Sequence, residues 1–137
     1  MSTRCQVKVT GAWQQAVTLY HHTDGYPSFI VPLIRKAHEA MAQPTRSGTE
    51  ELDERWRMNR AGKVASYLCF VDPGVFEPEV GHALHGDIEW YYTLDVSQGH
   101  AGWQLGVHAI QTDGTPKLVQ PSGPLGAWTV AELESLS

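Results

Sequence analysis

Asp87-Ile88-Glu89-Trp90-Tyr91-Tyr92-Thr93-Leu94-Asp95-Val96, then Trp103-Gln104-Leu105-Gly106-Val107-His108-Ala109, reads as one β-hairpin. Ile88, Trp90, Tyr92, Leu94 and Val96 fall on one side of the first run. Asp87, Glu89, Tyr91, Thr93 and Asp95 fall on the other, a period of two that marks a half-buried strand. Pairing Val96 with Trp103 also sets Tyr92 against Val107 and Trp90 against Ala109. All apolar residues then share a face, and a slip of one residue would reverse every one of them. A sheet with one greasy face needs a layer to cover it.

The chain before the hairpin supplies more sheet and that layer. Cys5–Val9 and Ala16–His21 alternate in the same way, and matching their apolar faces pairs Val9 with Val17 and Val7 with Leu19. His21 then shares the core face, while Tyr20 and His22 point away. Asp24-Gly25-Tyr26-Pro27-Ser28 is a turn, with Gly25 free to take positive φ and Ser28 placed to cap a helix. Pro32 is expected in that helix's first turn, where its missing N–H costs little. Ile30, Leu33, Ile34, Ala37 and Met41 form its buried stripe. Gln43-Pro44 ends it, and Ser47 with Glu50 resembles a capping box opening a second helix over 49–69. Gly62 is a candidate break in that helix, and 64–71 reads equally as a strand, since periodicity alone does not decide a short apolar run.

Asp72-Pro73-Gly74 stops this element, and a loop leads to His85. After the hairpin, Thr112-Asp113-Gly114-Thr115 predicts a tight turn into a strand over 117–120. Thr129 and Glu132 form a second capping box before a short C-terminal helix. The expected order is ββααβββ plus that helix: a single α+β domain over 1–137. It consists of an antiparallel sheet of about five strands with a helix pair on one face. The third strand is expected as an antiparallel neighbour of the second.

The 137 residues suit one domain, and 42% hydrophobic with 18% charged content is globular. The net charge of −5 argues against direct binding to a nucleic-acid phosphate backbone. It favours a protein partner with a basic surface, for instance a nucleic-acid-binding protein whose nucleic acid the domain would exclude. The basic residues that do occur, Arg46, Arg55, Arg57, Arg60 and Lys63, gather around the second helix, where a solvated face is the ordinary reading. Cys5 and Cys69 read as reduced thiols of a cytoplasmic protein. No signal peptide or membrane span is expected.

Two polar-aromatic segments carry the chemistry: Tyr20-His21-His22-Thr23-Asp24-Gly25-Tyr26-Pro27 and His82-Ala83-Leu84-His85-Gly86-Asp87-Ile88-Glu89-Trp90. The topology brings the end of one beside the start of the other. The candidate binding residues are Tyr20, His22, Asp24, Tyr26, His85, Asp87 and Glu89. Imidazoles and carboxylates are metal ligands, yet no metal signature of known spacing is present, and no metal or cofactor is expected. The same residues also suit a structural corner, with His22 and Asp24 holding the turn and His85 and Asp87 tying down the strand entry. No nucleophile elbow or phosphate loop occurs, and no catalytic residue is assigned. Exposed tyrosines beside histidine and carboxylates suit protein recognition.

These segments resemble a group of small bacterial and phage-associated proteins. That group carries a Tyr-x-His-x-Asp-Gly-Tyr-Pro segment early and a His-x-Asp-x-Glu-aromatic segment late. Tyr20, His22, Asp24, Gly25, Tyr26 and Pro27 match the first, and His85, Asp87, Glu89 and Trp90 the second, about a seventh of the chain. The resemblance implies a prophage or mobile-element setting and a role as a modulator or inhibitor of a host system. The function expected is therefore a non-enzymatic protein-binding module. The alternatives are a small-ligand or nucleotide binder, and a metal-dependent hydrolase using His22, Asp24, His85 and Asp87.

Overall fold

The structure is a computed structural model that describes residues 3–41, 59–119 and 122–136. The expected capping box at Ser47 and Glu50, the Gln43-Pro44 helix end, and Arg46, Arg55 and Arg57 lie outside the described residues. The strands are β1 (Cys5–Thr10), β2 (Ala16–His21), β3 (Glu77–Pro78), β4 (Trp90–Asp95), β5 (Gln104–Ile110), β6 (Pro116–Leu118) and β7 (Gly123–Pro124). The helices are α1 (Pro27–Met41), α2 (Ala61–Val71) and α3 (Val130–Ser135). The fold is α+β, but the sheet is mixed and has 7 strands.

Both hairpin registers are as the alternation predicts. Val7 faces Leu19 and Val9 faces Val17, while Trp90 faces Ala109 and Tyr92 faces Val107. The neighbour of β4 differs. The strands run β3-β2-β1-β4-β5-β6, so β4 lies beside β1, and in parallel: Cys5 pairs with Trp90 and Thr10 with Asp95. The place beside β2 is taken by β3, where Leu19 meets Pro78. The reason is burial. β1 is the central strand, and Cys5, Val7 and Val9 are each 0% exposed because both of its edges and its apolar face are covered. Tyr92, Leu94, Leu105 and Val107 are equally buried on that face.

The α1 stripe packs as predicted, with Ile30, Leu33, Ile34, Ala37 and Met41 in the core. Its start is two residues earlier than a cap at Ser28 would set it. The N–H groups of Phe29 and Ile30 donate to the Tyr26 carbonyl, and Pro27 takes the first helical position, where its missing N–H is not needed. Pro32 consequently falls inside the helix rather than in its first turn. The second helix is not continuous over 49–69. Arg60 is extended, and α2 begins at Ala61, so Gly62 sits in its first turn without breaking it. This settles 64–71 as helix, with Val64, Ala65 and Leu68 buried. β6 is shorter than predicted, ending at Leu118. Thr129 caps α3 by accepting from the Glu132 N–H at 3.1 Å, and its hydroxyl donates to the Glu132 carboxylate.

A stacked histidine pair ties α1 to the β4–β5 connection. The His38 and His100 rings lie 3.6 Å apart, and each Nε2–H donates to the other's backbone carbonyl. Burial holds His38 below the ordinary histidine range, against the opposing hydrogen bond to the His100 carbonyl. His21 is held low by burial as well; its Nδ1–H donates to the Val75 carbonyl at 2.6 Å. Both are thus favoured neutral in the folded state. The unfolded chain takes up these protons near the ordinary value of 6.5, so stability is full above that pH and falls below it. Melting temperature should drop between pH 7.5 and pH 5.5, and His38→Gln should show a smaller drop across the same range. An unchanged melting temperature in the parent chain would contradict this.

Candidate functional site

Because His21 and Trp90 both align with Cys5, the end of β2 and the start of β4 meet at one end of the sheet. The two polar segments therefore come together, though β1 stands between them. That gap is filled by Arg4, which the sequence reading did not single out. Its Nε approaches the His22 Nδ1 at 3.4 Å and an Asp87 carboxylate oxygen at 3.4 Å. Since Arg4 can only donate, His22 Nδ1 accepts. The Tyr20 hydroxyl lies 3.2 Å from the same nitrogen. Glu89, exposed at the strand entry, donates its backbone N–H to the Arg4 carbonyl.

A second linked set lies alongside. The Tyr20 ring stacks on His85 at 4.7 Å, and the His85 Nε2 contacts the Glu79 carboxylate. Tyr20 titrates above the usual tyrosine range, through burial first and then the nearby Asp87, while Arg4 opposes the shift. Asp24 and Tyr26 form a separate pair, with the Tyr26 hydroxyl donating to the Asp24 carboxylate at 3.2 Å. That charge raises the Tyr26 hydroxyl. The described contacts thus join Tyr20, His22, His85 and Asp87 but leave Asp24 and Tyr26 at the helix entry.

The Asp24-Gly25 turn works differently from the sequence expectation. Asp24, not Gly25, takes the left-handed conformation, at φ 54°. Aspartate tolerates this better than most residues. Gly25 is required for close approach. Its N–H donates to the Thr3 carbonyl at 2.7 Å, and its carbonyl accepts from the buried Tyr92 hydroxyl at 2.7 Å.

The open face of the sheet carries more of the site than the sequence indicated. The connection from β3 to β4 must cross β2 and β1 to reach its place in the sheet. It does so as a strap, residues 79–87, laid over the face opposite the helices. Gln6 and Thr18 lie beneath it and are 0% and 1% exposed. Polar residues on strand positions facing away from the core gave no sign of this, because the crossing is a property of strand order. Val80 and Leu84 of the strap are exposed apolar side chains. Elsewhere, Val17, Leu19, Gly62, Ala65, Ser66, Cys69 and Pro78 line a groove of about 420 Å³. Burial raises the thiols of both Cys5 and Cys69, which are unpaired to each other.

Among the described residues no group of three His, Cys, Asp or Glu side chains is arranged to hold a metal ion. No described helix is long and apolar enough to cross a membrane. Compared with known protein families, curated proteins and solved structures, the chain shows no match.

Proposed function

We propose that the chain is a non-enzymatic protein-binding module whose contact surface is the corner around His22, Asp87 and Glu89. On the resemblance above, its role is that of a phage- or prophage-derived modulator or inhibitor of a host system. The observation that carries the binding reading is the cross-bracing through Arg4, which holds exposed His22 and Asp87 in one arrangement on the end of a rigid sheet. Side chains ordered before binding lose less freedom when a partner arrives. The net charge of −5 favours a partner with a basic surface. A nucleotide or other small ring-bearing ligand is the second reading, favoured by the stacked Tyr20 and His85 rings at the same corner.

The test compares capture from a bacterial lysate by the parent chain and by a His22→Ala/Asp87→Ala/Glu89→Ala variant, quantified by mass spectrometry. Each exposed substitution should shift stability by less than about 0.5 kcal/mol. A partner held by the parent should be lost from the variant, since a contact residue at a hot spot contributes on the order of 2 kcal/mol. Undiminished capture by this variant, with loss on changing Arg55, Arg57 and Arg60, would move the interface to the second helical region and overturn the reading.

A further inference from the structure

The strap rests on the sheet in an unusual way. All residues from Val80 to Asp87 are exposed, so none of these side chains enters the core. Its hold on the sheet is polar. The Gln6 side-chain Nε2 donates to the Ala83 carbonyl at 3.0 Å, and its Oε1 accepts from the His85 backbone N–H at 2.9 Å. A carbonyl and an N–H two residues apart are what one residue of a parallel strand bonds on its neighbour. The Gln6 amide therefore grips residues 83–85 as a parallel strand would. On either side, the Thr18 hydroxyl meets His82 Nδ1 at 2.7 Å, and Tyr20 stacks on His85. The spacing of the gripped histidines is His-x-x-His.

We propose that Gln6, Thr18 and Tyr20 form a binding site for an extended peptide, and that the strap is its resident occupant, displaceable by an extended segment of another chain. Displacement is inexpensive because little apolar surface is uncovered, chiefly the Tyr20 ring face against His85 and part of Leu84. Gln6 and Thr18 exchange their bonds for water, and such exchanges cost little per bond. Segments held by few buried apolar contacts open locally well before the domain unfolds. The arriving segment needs free backbone groups and hydrogen-bonding side chains three residues apart. This site lies beneath the strap rather than on the outward corner, and the two meet at Asp87, so displacement would also release the Arg4–Asp87 contact.

The experiment uses the full chain carrying His82→Ala and His85→Ala, which weakens the occupant but keeps Gln6, Thr18 and Tyr20. The probe is a fluorescently labelled synthetic peptide with the sequence of residues 79–87, followed by anisotropy. The double variant should bind it at least about tenfold more tightly than the parent chain, and adding Gln6→Ala should remove that gain. Hydrogen exchange on the parent supplies a readout that needs no variant to fold: amides of residues 82–86 should exchange much faster than those of β1. Strap amides as slow as β1 in the parent would overturn the proposal. So would failure of the peptide to bind a folded double variant, whether its strap is released or still protected.

Discussion

Tyr92→Ala should cost about 3–5 kcal/mol of folding stability, measured by denaturant unfolding followed by circular dichroism. Tyr92 is fully buried on β4, with Val7 beside it on one strand and Val107 on the other. Truncation leaves a cavity at the centre of the sheet, where rigid strands on both sides limit collapse. A domain of this size has on the order of 5–15 kcal/mol in all, so the variant would sit near the edge of folding. Tyr92→Phe separates the contributions. It keeps the ring but leaves the Gly25 carbonyl without its 2.7 Å donor, a loss of about 1–3 kcal/mol if no water enters. An alanine cost no greater than the phenylalanine cost would show that the ring's packing contributes nothing.

Gly25→Ala is expected to destabilise by about 3 kcal/mol, at the upper end for overpacking. A Cβ at this position would lie 2.8 Å from the Cys5 Cβ and 2.9 Å from both the Cys5 nitrogen and the Thr3 carbonyl oxygen. Two of those three are backbone atoms of the segment entering the central strand and cannot rotate aside. Relief by moving the turn would stretch the Gly25–Thr3 and Tyr92–Gly25 bonds together. Asp24→Gly is the matched control: it relaxes a left-handed residue at φ 54° without adding an atom, and should leave stability unchanged or slightly improved. Thermal melts of the two variants should therefore move apart, and similar losses in both would show that clearance at Gly25 is not what limits the turn.

What could be read from the residues was whatever depends on local period. Alternation set both hairpin registers, since a slip at Val7 or Tyr92 would have exposed an entire face. The α1 stripe followed from spacing alone. What could not be read was strand order. The pairing of Cys5 with Trp90 depends on which position best buries β1, and no local pattern records that. The strap followed from the missed strand order, and so did the burial of Gln6 and Thr18. At the candidate site, His22, His85 and Asp87 were legible as a polar cluster, but Arg4 was not, because its role arises only when β1 separates the two segments. At Gly25 the residue type was the right signal with the wrong cause: glycine marks either positive φ or a close approach, and only the neighbours distinguish them.

The parallel partnership at the middle of the sheet also sets a timetable. Residues 5–10 find one neighbour within the first hairpin but must wait for residues 90–95 to find the other. Joining segments so distant in the chain requires closing a long loop before any contact compensates for it, which slows folding. On the ribosome, the first hairpin emerges long before β4 exists. During that interval β1 presents an unpaired edge and the apolar row of Cys5, Val7 and Val9, the combination that recruits other nascent strands. The step that completes the fold is therefore also the one that withdraws this exposed edge.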